Sequence, residues 1–289
     1  MKEWNATSEY LDLLKKALTG TLYDESAWTV EGIGPGRYPR RKPLKFMAES
    51  VRAVRRSIAT AGRRLPTVVV RCDPYDAAEM ELGKKWPMFG YTMIGLNRLG
   101  HIQSCVEDVL RNNVPGDLIE AGVWRGGATI FMRALLRCHQ VHDRTVWVAD
   151  SFEGLPPATG VDATITDDAD LSEEAYLKIS LPQVQANFAR FGMLDGQVKF
   201  LKGWFEHTLP TAPIDRLAVL RIDGDMYHST LDVLNALYTR VSPGGYVIID
   251  DYPGWEGCRR ATDEFRAAHS IQAELRRIDW TGVCWQVPY

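Results

Sequence analysis

The chain of 289 residues carries 34 basic and 37 acidic side chains, and a formal net charge of -3 gives no global electrostatic reason to expect nucleic acid or an anionic membrane as a partner. A chain of this length buries a substantial core and suits one elaborated α/β domain better than two independent ones. Without an apolar run of about 18 residues, and with neither a basic start nor an apolar segment in MKEWNATSEY, no membrane span or secretory leader is expected, and the predicted location is cytoplasmic. The five cysteines (Cys72, Cys105, Cys138, Cys258 and Cys284) are odd in number and unpaired in spacing, so reduced thiols are expected and any metal should be bound by oxygen.

In chain order, residues 9–19 (EYLDLLKKALT) place leucines at helical spacing, and a second helix is predicted over 47–61. Between them VEGIGPGRYPRRKP has glycine, proline and arginine but no periodicity, and reads as a mobile connector. Its RYPRRKP run, with AVRRS and GRRLP further on, offers a basic strip, for which a solvated face is the competing account. We divide the chain into a helical, lid-like extension over 1–88 and a main domain over 89–289. From residue 90 short apolar runs alternate with amphipathic segments, as a parallel sheet flanked by helices requires. Strands are predicted at 117–120, 145–150, 198–201, 217–223 and 246–250, with helices at 127–138, 173–191, 229–241 and 258–268. Two apolar runs, 274–278 and 283–287, joined through Thr281-Gly282, read as an antiparallel hairpin. Five parallel strands closed at one edge by a hairpin are the ground plan of the class I S-adenosylmethionine-dependent methyltransferase fold, a Rossmann-like α/β architecture.

The segment DLIEAGVWRGGATIF runs strand, glycine turn, helix. Gly122, Gly126 and Gly127 let backbone approach a ligand closely, and the helix N-terminus offers unpaired N–H groups. The spacing departs from G-x-G-x-x-G, which counts against a dinucleotide pyrophosphate; a bland glycine-rich turn is the alternative. The next strand ends in Asp150, where a carboxylate accepts from ribose hydroxyls of adenosylmethionine or of NAD alike. Ser151, Phe152 and Glu153 would form the loop beside the ribose and adenine. After the third strand, Gly203, Trp204 and Phe205 offer aromatic surface to an adenine, with core packing an equal account of Phe205.

RIDGDMYHST and VIIDDY bring Asp223, Asp225, Asp250 and Asp251 to neighbouring strand ends on one rim of the sheet, where open α/β sheets bind ligands. Four crowded carboxylates repel one another unless a cation or shared protons intervene, and a hard cation, most simply Mg²⁺, resolves the repulsion. Helix caps and solvated loop ends are the competing account. Asp225, past the strand on a turn, is the least secure ligand and is left for proton transfer.

These segments resemble the macrocin O-methyltransferase family, the TylF/MycF/NovP type that methylates sugar hydroxyls on macrolide and aminocoumarin antibiotics. The resemblance rests on YTMIGLNRLGHIQSCVEDVLRNNVPGDLIEAGVWRGGATIFMRALL, VWVADSFEGLPP, FLKGWFEHTLP, RIDGDMYHSTLDVL and GGYVIIDDY with GCRRATDEF, in matching order from about residue 89 onward. It implies Asp223, Asp250 and Asp251 as Mg²⁺ ligands and Asp225 as general base. It also implies S-adenosylmethionine contacts from Thr92, Met93, the turn Glu120, Ala121, Gly122, Val123, Trp124, Arg125 and Gly126, the loop Asp150, Ser151, Phe152 and Glu153, and Asp223. The expected acceptor is a (deoxy)sugar hydroxyl of a glycosylated natural product. The region from VEGIGPGRYPRRKP to LPTVVVRCDPYD departs from the pattern and leaves acceptor identity open.

A catechol-type O-methyltransferase is the nearest rival, since Trp4, Trp28, Trp86 and Trp255 suit a flat acceptor. A dehydrogenase is disfavoured by the glycine spacing, and a non-catalytic module by retention of all four acids. His228, at the start of a helix, is the next base after Asp225, although a cap or surface role competes. A helix-rich N-terminus with exposed aromatics makes a homo-oligomer the expected assembly.

Overall fold

The computed structural model describes residues 5–23, 28–30, 70–72, 77–84, 86–87, 89–165 and 170–289. The helix predicted over 47–61, the connector beyond Val30 and the basic runs lie outside these residues.

Helix α1 (Ala6–Thr19) begins at Asn5, whose side chain accepts from the backbone N–H groups of Thr7 and Ser8 at 3.0 and 3.3 Å. It stops at Gly20, in the left-handed region at φ 80°. Leu11, Leu14 and Leu18 recur on one face and are buried, joining the core formed with the later helices. Strands β1 (Trp28–Val30) and β2 (Val70–Cys72) pair antiparallel as a separate ribbon. A short α2 (Ala77–Glu81) precedes α3 (Leu96–Arg111), a helix that the sequence reading did not assign. There follow β3 (Asp117–Ala121), α4 (Gly127–Cys138), β4 (Val146–Asp150), α5 (Leu181–Arg190), β5 (Val198–Lys202) and α6 (Phe205–Thr208). The chain continues through β6 (Leu217–Ile222), α7 (Tyr227–Leu237), β7 (Val241–Ile249), α8 (Glu256–Ala268), β8 (Arg276–Arg277) and β9 (Val283–Gln286).

Seven strands form one sheet in the order β5-β4-β3-β6-β7-β9-β8. Strands β3 to β7 run parallel, and β9 is antiparallel to both of its neighbours. The edge hairpin is therefore present, with its second strand on the inside. Alternation along the strands feeds two cores: Leu118, Val219 and Ile248 face α1, α3, α4 and α5, while Ile119, Leu220 and Val247 face α7 and α8. Being covered on both faces, the central strands read as continuous apolar runs. Two charges break that rule. Glu120 on β3 and Arg221 on β6 are direct cross-strand neighbours, and both are buried.

Two boundaries differ from expectation for visible reasons. The helix predicted over 173–191 starts only at Leu181, because Ser180 and Gln183 form a capping box and Pro182 suits a first turn but not a helix interior. The last parallel strand starts at Val241 rather than 246; its Ser-Pro-Gly-Gly opening is taken up by a register shift against β6, with Gly244 at φ 81°. Cys105, Cys138, Cys258 and Cys284 are free thiols. No described helix is long and apolar enough to cross a membrane.

Candidate active site

The turn after β3 is shaped by contacts that admit no larger residue. Gly122 has φ 90°, and a Cβ there would stand 1.8 Å from the carbonyl oxygen of Asp223. Gly127, which opens α4, donates its N–H to the carbonyl of Tyr91 at 2.8 Å, and a Cβ would meet that oxygen at 2.4 Å. Asp150, ending β4, braces the turn: its carboxylate accepts from the N–H of Val123 at 2.8 Å and of Phe152 at 2.7 Å. Ser151 Oγ adds a longer contact to the same carboxylate at 3.4 Å, and Asp150 lines the cleft beside the turn.

That cleft has a volume of about 290 Å³. Of the cofactor contacts expected from sequence, Met93, Gly122, Trp124, Asp150, Ser151, Gly203, Trp204, Phe205 and Asp223 line it. The remaining expected contacts are not among its lining residues. Thr92 is buried against Gly127, Phe152 is buried with its ring tilted on Phe200, and Glu153 turns outward to Lys202 at 3.6 Å. Glu120 is turned to Arg221, Ala121 sits in the core, and Arg125 lies over the Trp124 ring at 4.2 Å and donates to the carbonyl of Gly90. Val123 and Gly126 contribute through backbone, the latter at φ 86° before α4.

Pro156, Pro157, Asp162 and Asp232, which were not expected from sequence, also line the cleft, together with His228, the fallback base candidate. Asp162 accepts from the N–H groups of Tyr227 and His228 at 2.7 and 3.2 Å, and pairs with Nδ1 of His228 at 2.6 Å. It thus caps the N-terminus of α7. The partners are 65 and 66 residues apart, so no local capping signal announces them.

At the carboxyl ends of β6 and β7, one oxygen each from Asp223, Asp225 and Asp251 lies within 4.8 Å of the others. Asp250, expected in the ligand set, is directed elsewhere: Oδ1 accepts from Nη2 of Arg221 and Oδ2 from Nη1 of Arg98. Asp225 stands at φ 55°, past the strand. Beyond these carboxylates opens a second cleft of about 90 Å³, walled by Trp86, Trp255 and Trp280. The two clefts share Met93, Leu177, Asp223 and Asp225.

A sequence model described as Macrocin-O-methyltransferase (TylF) matches residues 7–287. The chain belongs to the macrocin O-methyltransferase family. It is 46% identical over 288 residues to demethyldecarbamoylnovobiocin O-methyltransferase of Streptomyces niveus, covering 99% of this chain and 96% of that one. Mycinamicin III 3''-O-methyltransferase of Micromonospora griseorubida is 52% identical over 209 residues, 71% of this chain and 82% of the relative. The solved O-methyltransferase NovP superposes with a TM-score of 0.78 at 43% identity, covering 98% of this chain and 100% of that one. The calicheamicin methyltransferase CalS11, at 20% identity and a TM-score of 0.52 over 85% of this chain and 94% of its own, shares the fold. This family member is an S-adenosylmethionine-dependent O-methyltransferase acting on a small molecule.

The electrostatics of this methyltransferase fit a cation among the acids. Burial, and then the neighbouring carboxylates Asp225, Asp223 and Asp250, push the Asp251 carboxyl well above the usual range. Burial and then Asp250 raise that of Asp223, against the lowering pull of Arg221. Oδ2 of Asp251 is buried with no hydrogen-bond partner among the described residues. Three carboxylate oxygens gathered in this way form an all-oxygen donor set, the kind that a hard cation such as Mg²⁺ prefers.

Proposed function

We propose that this enzyme transfers the methyl group of S-adenosylmethionine to a sugar hydroxyl of a glycosylated secondary metabolite with the help of Mg²⁺. The observation that carries the reading is the meeting of two clefts at Asp223 and Asp225, one fitted to a nucleoside and one walled by tryptophans suited to the apolar face of a sugar. The names of the relatives, which methylate novobiocin-type and mycinamicin substrates, support the acceptor class. Asp223 and Asp251 would hold the cation, with Asp225 in reach of the same point.

When bound, a divalent cation supplies Lewis-acid polarisation and lowers the pKa of a hydroxyl. The protein supplies alignment. Asp150 and the β3 turn would hold the nucleoside of S-adenosylmethionine in the cleft that they line, beside the carboxylates common to both clefts. As the acceptor oxygen forms its bond to the methyl carbon, the C–S bond breaks and its electron pair stays on sulfur, leaving S-adenosylhomocysteine. The hydroxyl proton passes to the carboxylate of Asp225. Alignment of this kind lowers a barrier by roughly 7 to 11 kcal/mol in favourable cases.

Removing divalent ions with EDTA is expected to abolish transfer to a deoxysugar glycoside, and Mg²⁺ to restore it; full turnover by rigorously metal-free enzyme would remove the cation from the reading. A second reading, methylation of an aromatic vicinal diol, is favoured by the flat faces of Trp86, Trp255 and Trp280. Presenting a catechol and a deoxysugar glycoside side by side separates the two.

A further inference from the structure

Two buried arginines organise the carboxylates without taking part in the chemistry above. Arg221, 1% exposed, lies on β6 two residues before Asp223. Its guanidinium forks: Nη1 donates to Glu120 and to Oδ2 of Asp223, the latter at 3.0 Å, while Nη2 donates to Oδ1 of Asp250. Arg98, 5% exposed, reaches in from α3 and donates through Nη1 to the other oxygen of Asp250 and through Nε to Oδ2 of Asp279 at 3.0 Å. Oδ1 of Asp279 accepts from the N–H groups of Thr281 and Gly282 at 3.1 and 2.8 Å. One chain of contacts therefore runs from the hairpin turn bearing Trp280, through Arg98, Asp250 and Arg221, to Asp223.

Five carboxylates (Glu120, Asp223, Asp250, Asp251 and Asp279) surround this guanidinium pair. Burial works against the charge of Arg221, yet Asp250, Glu120 and Asp223 together hold it firmly protonated. Two fixed cations lower the repulsion that the cluster would otherwise impose on itself. They also fix the rotamers of Asp250 and Asp223, since both oxygens of the first and one of the second are engaged.

We propose that Arg221 and Arg98 are positioning residues, which hold Asp250 and Asp223 in fixed rotamers so that the cluster these two form with Asp251 presents its oxygens to a single divalent cation. The inference rests on the cation reading above. A planar guanidinium bridges three carboxylates in fixed directions; the point charge of a lysine cannot.

The test is Mn²⁺ binding to the full chain in the presence of S-adenosylhomocysteine, followed by the electron paramagnetic resonance of free Mn²⁺, for wild type, Arg221→Lys and Arg98→Lys. Partners that orient metal ligands typically change affinity by about 10–100-fold, and that weakening is expected for folded Arg221→Lys, with S-adenosylhomocysteine affinity unchanged. A merely structural role would lower the melting temperature and leave the Mn²⁺ dissociation constant at its wild-type value, which overturns the proposal. Arg98→Lys carries the same readout should Arg221→Lys not fold. A wild type that takes up no Mn²⁺ overturns the cation reading and this inference with it; a wild type that binds while both folded variants bind equally well overturns the inference alone.

Discussion

Asp225 occupies the left-handed backbone region at φ 55°, which aspartate and asparagine enter more readily than other non-glycine residues. Asp225→Asn therefore keeps the turn and removes the proton acceptor. Turnover is expected to fall by about 10²–10⁴-fold, the range of general-base contributions, while calorimetry finds S-adenosylhomocysteine binding unchanged. Undiminished turnover would place the base elsewhere. His228 is poorly placed to replace it, since its Nδ1 is paired with Asp162 and the residue lines only the cofactor cleft. The four aspartates were legible because each follows an apolar run that must be a strand, and parallel strands end on one rim. Their division of labour was not. Asp250 meets Arg221 across 29 residues and Arg98 across 152, and neither arginine stands out in its own segment. In LAVLRI a single charge reads as an interruption of the core, although it is the group that holds three carboxylates.

At the scale of elements, the parallel strands and α4 were readable from apolar runs and the glycine turn, whereas α3 escaped. Its buried positions Leu99, Ile102, Val106 and Val109 keep helical spacing, but Gly100 and several polar residues interrupt the stripe. A Cβ at Gly100 would meet nothing within 4 Å. Gly100→Ala is accordingly expected to stabilise the protein by about 0.4–1 kcal/mol, seen as a raised midpoint in urea; a lower midpoint would mean that the residue's smallness serves a contact outside the described residues. A second element-level device joins α4 to the loop before β5, where Arg133 forks onto both oxygens of Asp195 at 2.7 to 3.0 Å. That hydrogen-bonded pairing holds the Asp195 carboxyl below its ordinary value. A depressed folded-state pKa stabilises above the unfolded value of about 3.9, and the benefit is lost as pH falls through the folded value. Because the carboxylate is 38% exposed, solvent screening keeps the contribution to about 1 kcal/mol or less. Asp195→Asn should therefore flatten the stability profile below about pH 4; a profile unchanged in that window would show the pair to be without thermodynamic effect.

For the molecule as a whole, the sheet order sets the plan. From β3 the chain moves outward through β4 and β5, then returns to lay β6 and β7 on the other side, and a crevice opens where the order reverses. The nucleoside-fitted cleft lies over β3, β4 and β5, and the tryptophan-walled cleft lies toward β7 and the hairpin. Their shared border of Met93, Leu177, Asp223 and Asp225 is narrow. Occupants of two such chambers touch only at the group exchanged between them and do not contend for the same volume. Rate measurements should therefore separate them: S-adenosylhomocysteine is expected to compete with S-adenosylmethionine, yet to remain inhibitory however much acceptor is added. Full recovery of velocity at high acceptor concentration would mean that the two chambers behave as one.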